Sequence, residues 1–254
     1  MKILEGQFYP TKKWGHLEVV RYNNARSVDV RFVDTGGLRN TSSANIRSGC
    51  VKDYHKPSVF GKGFYGVGNF VSKVKGKSTT EYNRWSGILE RCYDQVKQEK
   101  QPTYTDCTLT NDWHNFQIFS EWFVNHPYNS ADCHVDKDLL IKGNKHYSPE
   151  TCLIIPHEIN EALTLTGASR GDYPVGVSKR TDGRRKPYSA HITKTINCIK
   201  RKYGLGHFST AIEAFMVYKA AKQSYIKSLA EIHREALDPR AFSALMNYTI
   251  SEED

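Results

Sequence analysis

The chain lacks any long apolar run. No stretch approaches the roughly 20 residues that a membrane-spanning helix needs. Met1-Lys2-Ile3-Leu4-Glu5 leads into polar residues rather than into a signal-peptide core. These absences predict a soluble, intracellular protein. There is no CxxC pair either, and the six cysteines (50, 92, 107, 133, 152 and 198) show no tight even spacing. That argues against a zinc ribbon and a disulfide scaffold, and reads as reduced, mostly buried thiols that pack as small apolar side chains. No heptad pattern announces a coiled-coil partner.

Acidic residues are scarce at both ends. Residues 1–77 carry 14 Lys and Arg against 5 Asp and Glu, and residues 167–254 carry 15 against 9. Between them, residues 78–166 reverse the balance with 7 against 13. Two basic arms around an acidic centre fit phosphate-backbone contacts flanking a metal site. With 254 residues and 39% hydrophobic content the chain can bury a core, and the size of natural domains favours two or three small ones over one large one.

Along the chain, Leu17 to Tyr22 and Ser27 to Val33 alternate with turn clusters at Asn23-Asn24 and Thr35-Gly36-Gly37, which predicts short antiparallel strands in a small SH3-like β-barrel over residues 1–60. Residues 61–80, rich in glycine and lysine, read as a basic linker. From Glu81 to Glu99 the apolar residues Trp85, Ile88, Leu89, Cys92, Tyr93 and Val96 mark one stripe of an amphipathic helix. A second helix is expected from near Trp113 to Val124, with Phe116, Phe119 and Phe123 buried. A turn-rich break at Gly167 to Asp172 closes a central domain over 81–166. Strand signals and a Thr210-Ala211-Ile212-Glu213 capping box then predict a three-stranded sheet and helix over 170–238, ahead of a tail over 239–254. The expected fold class is therefore α+β.

Residues 134–160 carry the most chemistry. They read as a strand, a polar loop, a second strand and a short helix that returns Asn160 towards Asp136. Asp136 and Asn160 offer hard oxygen ligands suited to a Mg²⁺-like ion that keeps room for a phosphate oxygen. Strand alternation puts Asp138 on the same face as Asp136, where it competes as a ligand, and Lys137 on the other.

Val135-Asp136-Lys137, Gly143-Asn144, Tyr147-Ser148-Pro149-Glu150-Thr151-Cys152 and the trailing Asn160 resemble the ββα-metal core of HNH endonucleases of the phage homing type. Trp85, Arg91, Cys92, Tyr93, Trp113, Phe116, Phe119 and Trp122 resemble the helical lead-in of the same proteins. Gly176 to Arg180, Pro187 to Ile192, Gly204 to Thr210 and Glu213-Ala214-Phe215 resemble the APETALA2-type DNA-binding domain found fused to such nucleases. Together the two resemblances span about three-fifths of the chain.

They imply a metal-dependent DNA endonuclease using Mg²⁺ or Mn²⁺, acting on double-stranded DNA in the cytoplasm of a bacterial host cell. They also expose a departure. The family places its general-base histidine directly after the first aspartate, where this chain has Lys137. A lysine near pKa 10.4 is protonated at neutral pH, so it suits steadying a phosphate better than accepting a proton. His134, His146 and His157 are the candidate bases. Lys179, Arg180, Arg184, Arg185 and Lys186, with Lys200, Arg201 and Lys202, are the expected DNA contacts, Arg180 and Arg185 being candidates for base edges. The alternative is a DNA- or partner-binding protein that keeps the ββα unit without cutting.

Overall fold

The computed structural model describes residues 2–165, 173–183, 185–196 and 199–252. The chain falls into two compact units, Met1–Val124 and Asn125–Asp254. Both mix helix with small antiparallel sheets.

In the first unit, β1 (Phe8–Pro10), β2 (His16–Asn24), β3 (Ser27–Phe32) and β4 (Leu38–Thr41) pair in sequence order, and α1 (Ser43–Arg47) follows. The alternation read from the sequence becomes the core. Leu17 faces Phe32 and Val19 faces Val30 across the β2–β3 ladder, and all four are buried with Val28, Ile46 and Val51. Burying each such side chain contributes about 1.5–3 kcal/mol. The expected barrel is not formed. The sheet stays open with β1 and β4 as its edges, because these strands have three and four residues and no ladder joins them.

The expected linker is also corrected, since residues 61–80 are ordered against the helices that follow them. They include the two-residue strands β5 (Lys73–Val74) and β6 (Lys77–Ser78). Gly63 lies so close to α2 (Thr80–Tyr93) that a Cβ there would collide with Leu89 and Trp85. The Gln117 side chain accepts from Phe70 N at 2.9 Å and donates to Phe70 O at 3.0 Å, stapling the segment to α4 (Phe116–Asn125). The long helix expected over Glu81 to Glu99 breaks at Asp94, whose carboxylate caps α3 (Gln95–Lys100) by accepting from Val96 N at 3.0 Å. Val96 is consequently exposed instead of extending the stripe. A short strand, β7 (Thr108–Leu109), and a 3-10 turn lead to α4. There Trp113, Phe116, Phe119 and Phe123 are buried, and the Trp85 indole donates to Trp113 O at 2.7 Å.

The second unit opens with β8 (Cys133–Asp136), β9 (His146–Tyr147), β10 (Leu153–Pro156) and α5 (His157–Leu163). β8 and β10 form an antiparallel pair in the register Asp136 with Leu153 and His134 with Ile155. Next come β11 (Val177–Lys179), β12 (Tyr188–Ile196) and β13 (Ile199–Phe208), a three-stranded antiparallel sheet in sequence order. The long helix α6 (Ala211–Ile232) and α7 (Pro239–Met246) complete the unit. The capping box starts α6 as expected: Thr210 Oγ1 accepts from Glu213 N at 3.1 Å, and the Glu213 carboxylate accepts from Thr210 N at 3.3 Å.

One core joins the two halves of this unit, and a smaller cluster of Ala190, Ala214, Phe215, Tyr218 and Ile250 lies beside it. Leu153, Ile155, Ile159 and Ala162 pack with Ile192 of β12, Tyr225, Ile226 and Leu229 of α6, and Ala241 and Leu245 of α7. The expected break at Gly167 to Asp172 lies outside the described residues, and the apolar groups on its two sides belong to one cluster. The expected tail from 239 instead holds a helix. Asp238 caps it by accepting from Arg240 N at 2.8 Å, and Ile250 beyond it is buried. Among the described residues no helix is long and apolar enough to cross a membrane.

Candidate metal centre

Along β8 the side chains alternate as strand geometry requires. Cys133 and Val135 enter the core, while His134 and Asp136 stand on the outer face. Pro156 ends β10, and its ring favours the turn into α5, whose first residue is His157. The His157 amide donates to Asp132 O at 3.0 Å, which holds the start of α5 over the entry to β8. The two imidazoles then meet, His157 Nδ1 lying 2.9 Å from His134 Nε2 with ring centroids 4.8 Å apart. The Asp132 carboxylate joins them, and one ligand atom from each of the three residues lies within 4.8 Å of the others.

Two imidazoles and a carboxylate form a donor set for a borderline cation such as Zn²⁺ rather than one selective for Mg²⁺. Ligand bonds of about 2.0–2.2 Å place tetrahedral donors roughly 3.4 Å apart. The 2.9 Å imidazole contact must therefore open slightly and the carboxylate must move in. Asp132 and His157 are exposed and His134 half-buried, so side-chain rotation suffices.

The expected ligands are arranged differently. Asp136 Oδ1 accepts from Asp138 N at 2.9 Å and Leu139 N at 2.7 Å, which fixes the turn after β8. Burial pushes its carboxyl pKa up, against the opposing pull of these two amides. Asn160 sits one turn beyond His157, half-buried, and its side-chain amide makes no hydrogen bond to any described residue. Asp138 is engaged elsewhere, with both carboxylate oxygens 2.6 Å from Lys137 Nζ.

Lys137 is the main correction. It is 6% exposed, and its ammonium donates to Asp138 and to Asn144 O while Nζ lies 5.8 Å from the centre of the Tyr147 ring. The Asn144 side chain completes the clamp by donating to Lys137 O at 2.9 Å and His146 O at 2.8 Å and accepting from His146 N at 3.0 Å. Thr151 N donates to Ser148 Oγ at 3.3 Å, and Gly143 takes φ +77° in the same loop. Lys137 thus holds the loop together and has no donor left for a phosphate. His146 is exposed on β9 and stands outside the Asp132, His134 and His157 cluster. Burial pushes the Cys152 thiol up to about 12, as expected of an inert packing residue. Cys92, Cys107 and Cys133 are also buried, Cys50 is exposed, and Cys198 lies outside the described residues.

The expected DNA contacts are spread over the three-stranded sheet. Lys179 Nζ lies 5.7 Å from the Tyr188 ring centre, and Arg180 pairs with Asp182 at 3.0 Å. Arg185 and Lys186 are exposed on the turn, and Arg184 lies outside the described residues. On β13, alternation puts Lys200 and Lys202 on one side and Arg201 on the other. Lys200 is committed to Glu161 of α5, which also accepts from Thr195 Oγ1 at 2.6 Å.

Sequence reading missed two residues. Asp132 lies just before the strand and belongs to no motif, although its i, i+2 spacing to His134 was visible. Lys222 interrupts the buried α6 stripe of Phe215, Tyr218, Tyr225 and Leu229, where an apolar residue was due. No family model, no curated protein and no solved structure matches this chain.

Proposed function

We propose that the protein is a metal-dependent DNA endonuclease that hydrolyses phosphodiester bonds at the β8, β10 and α5 unit, with the basic residues of both units holding the duplex. The observation that carries this reading is the meeting of Asp132, His134 and His157 on the outer face of a strand-strand-helix unit. The motif residues of the same unit resemble the ββα-metal core of HNH endonucleases. The three-stranded sheet and α6 fit an APETALA2-like reader in the same sense.

A cation held there would polarise a phosphate oxygen and lower the pKa of a water. The chain supplies the rest. Asp132, His134 and His157 give three donors and leave positions open for substrate and water. Asn160, one turn along α5, presents an uncommitted amide beside them. The Lys137 and Asn144 clamp fixes the loop, and Asp136 fixes the turn that follows β8. Arg185, Lys186, Arg201 and Lys202 give an exposed cationic surface for phosphates.

Plasmid cleavage in Mg²⁺, Mn²⁺ and Zn²⁺, with EDTA as control, tests the reading. Cleavage that needs metal and is lost in Asp132→Asn and His134→Ala supports it. Loss in Asp136→Asn with wild-type activity in Asp132→Asn would return the ion to the oxygen pair Asp136 and Asn160. A second reading, a DNA- or partner-binding protein without cleavage, is favoured by Lys137, which is buried and ion-paired at the position following Asp136. Salt-sensitive DNA binding with no cleavage in any metal would select it.

A further inference from the structure

Lys222 is a charged side chain in a place built for an apolar one. It is 7% exposed, and among the described residues its ammonium has no hydrogen bond and no ion pair. The nearest anion, Glu161, attracts it only at a distance, because that carboxylate is engaged by Lys200 and by the Thr195 hydroxyl. Burial pulls the Lys222 pKa down to about 8 against the opposing attraction of Glu161. Amines on buried side chains are normally hydrogen-bonded, so one with no acceptor among the described residues calls for an explanation.

Two cavities supply it. One of about 470 Å³ lies between β11, β12, β13 and α6, and one of about 380 Å³ lies between α5, β12 and α6. Lys222 lines both, as do Thr164 and Thr193, so these three side chains border the two cavities together. The larger cavity is of a size that small ligands occupy. Its wall adds Lys202 and His191, and that of the smaller adds Lys200. Several cations face one committed carboxylate there, with threonine hydroxyls as neutral donors. That balance favours a doubly charged anion over a carboxylate.

We propose that Lys222 is the centre of a phosphate-binding pocket, completed by Lys202, His191 and the Thr193 hydroxyl, that takes a phosphate monoester from a nucleotide or from a nucleic-acid end. The four binding residues are not metal ligands, although His157 and Asn160 line the smaller cavity and a phosphate site fits the nuclease reading. A ligand phosphate would sit between the Lys222 and Lys202 ammoniums and give the amine an acceptor that no described residue supplies. The open cavities on either side leave space for the rest of a nucleotide.

Calorimetric titration of the full chain in EDTA, free of divalent metal, separates this proposal from cleavage. Inorganic phosphate and a 5′-mononucleotide should bind the wild type. Lys222→Met should lose at least tenfold in affinity while keeping the wild-type circular dichroism spectrum. Thr193→Val and Lys202→Gln should each weaken binding without touching α6, and serve if Lys222→Met does not fold. Duplexes with 5′-phosphate and 5′-hydroxyl ends distinguish the sources. Tighter binding of the phosphorylated end assigns the pocket to nucleic acid, and displacement by the mononucleotide alone assigns it to a free nucleotide. Absence of binding by both phosphate and mononucleotide in the wild type, or wild-type titrations in the variants, would overturn the proposal whatever the cleavage assay gives.

Discussion

Replacing Lys222 with methionine should stabilise the protein at neutral pH. Methionine keeps most of the volume and the unbranched stem, and removes a charge that burial disfavours. The lysine pKa falls from its ordinary 10.5 to about 8, with burial as the main cause and the Glu161 carboxylate opposing it. At about 1.4 kcal/mol per pH unit, the protonated side chain destabilises the fold by about 3 kcal/mol. Below pH 8 both folded and unfolded chains hold the proton, so the full penalty applies. Between 8 and 10.5 the unfolded chain keeps the proton that the folded chain has released. Unfolding then takes up a proton, and wild-type stability rises with pH. The advantage of Lys222→Met should therefore be about 3 kcal/mol at pH 7 and fade towards pH 10.5. Urea unfolding followed by far-UV circular dichroism at several pH values measures it. All four tryptophans (14, 85, 113 and 122) lie in the first unit, so fluorescence reports that unit and serves as an internal reference. A variant less stable than wild type at pH 7, or an advantage that does not change with pH, would refute the reasoning.

The metal centre gives a sharper prediction than its electrostatics alone. His134→Ala should weaken Zn²⁺ or Mn²⁺ binding by more than the roughly 10–100-fold lost when an outer-shell partner of a metal ligand is removed; equilibrium dialysis reads this without any activity assay. Lys137→Met should destabilise by about 1–3 kcal/mol, since Asn144 O loses its charged donor; Asp138 is half exposed and regains water, which keeps the loss at the lower end. Gly63→Ala should cost about 1–3 kcal/mol in thermal unfolding because its methyl must displace Leu89 or Trp85. Changing Arg201 and Lys202 together to glutamine should flatten the salt dependence of DNA binding by about two log units per log unit of salt, and adding Lys200 should do little more because Glu161 already neutralises it.

What the sequence made legible is what local chemistry decides. The buried alternation of Leu17 and Val19 with Val28, Val30 and Phe32, the stripe from Trp85 to Cys92, and the Thr210 cap are properties of spacing, and all three stand in the structure. Barrel closure is not a property of spacing. It depends on strand length and tilt at the edges, where β1 and β4 are short. The glycines of residues 61–80 read as flexibility because their reason lies elsewhere in the chain. Gly63 makes room for Trp85, and Gly66 at φ +67° makes room for Asn115. Asp94 carried a cap signal inside a helical stripe, and the stripe hid it. Asp238-Pro239 was a complete helix start, and the acidic end at Ser251-Glu252-Glu253-Asp254 drew the whole segment into a tail. The metal cluster was hidden for a similar reason. Asp136 and Asn160 share a motif, whereas Asp132, His134 and His157 meet only through the β8–β10 register and the His157 amide bond to Asp132.

The parity of β8 decides which side chains can do chemistry. Cys133, Val135 and Lys137 point inward, while His134, Asp136 and Asp138 take the more exposed positions of the same run. A residue directly after Asp136 is therefore aimed at the loop interior, where Asn144 O and the Tyr147 ring wait for it. Lysine satisfies that pocket by pairing with Asp138. A histidine there, with a shorter reach and at most two donors, would leave part of the clamp unfilled. In the proposed centre, a group that handles a water or a metal comes from the outward positions. Of those, Asp138 is consumed by Lys137, and one oxygen of Asp136 is bound to two backbone amides. His134 remains, and the partner that β10 and α5 bring to it is His157. Lys137 thus holds the loop from one face of the strand, and the imidazole pair of the proposed centre stands on the other.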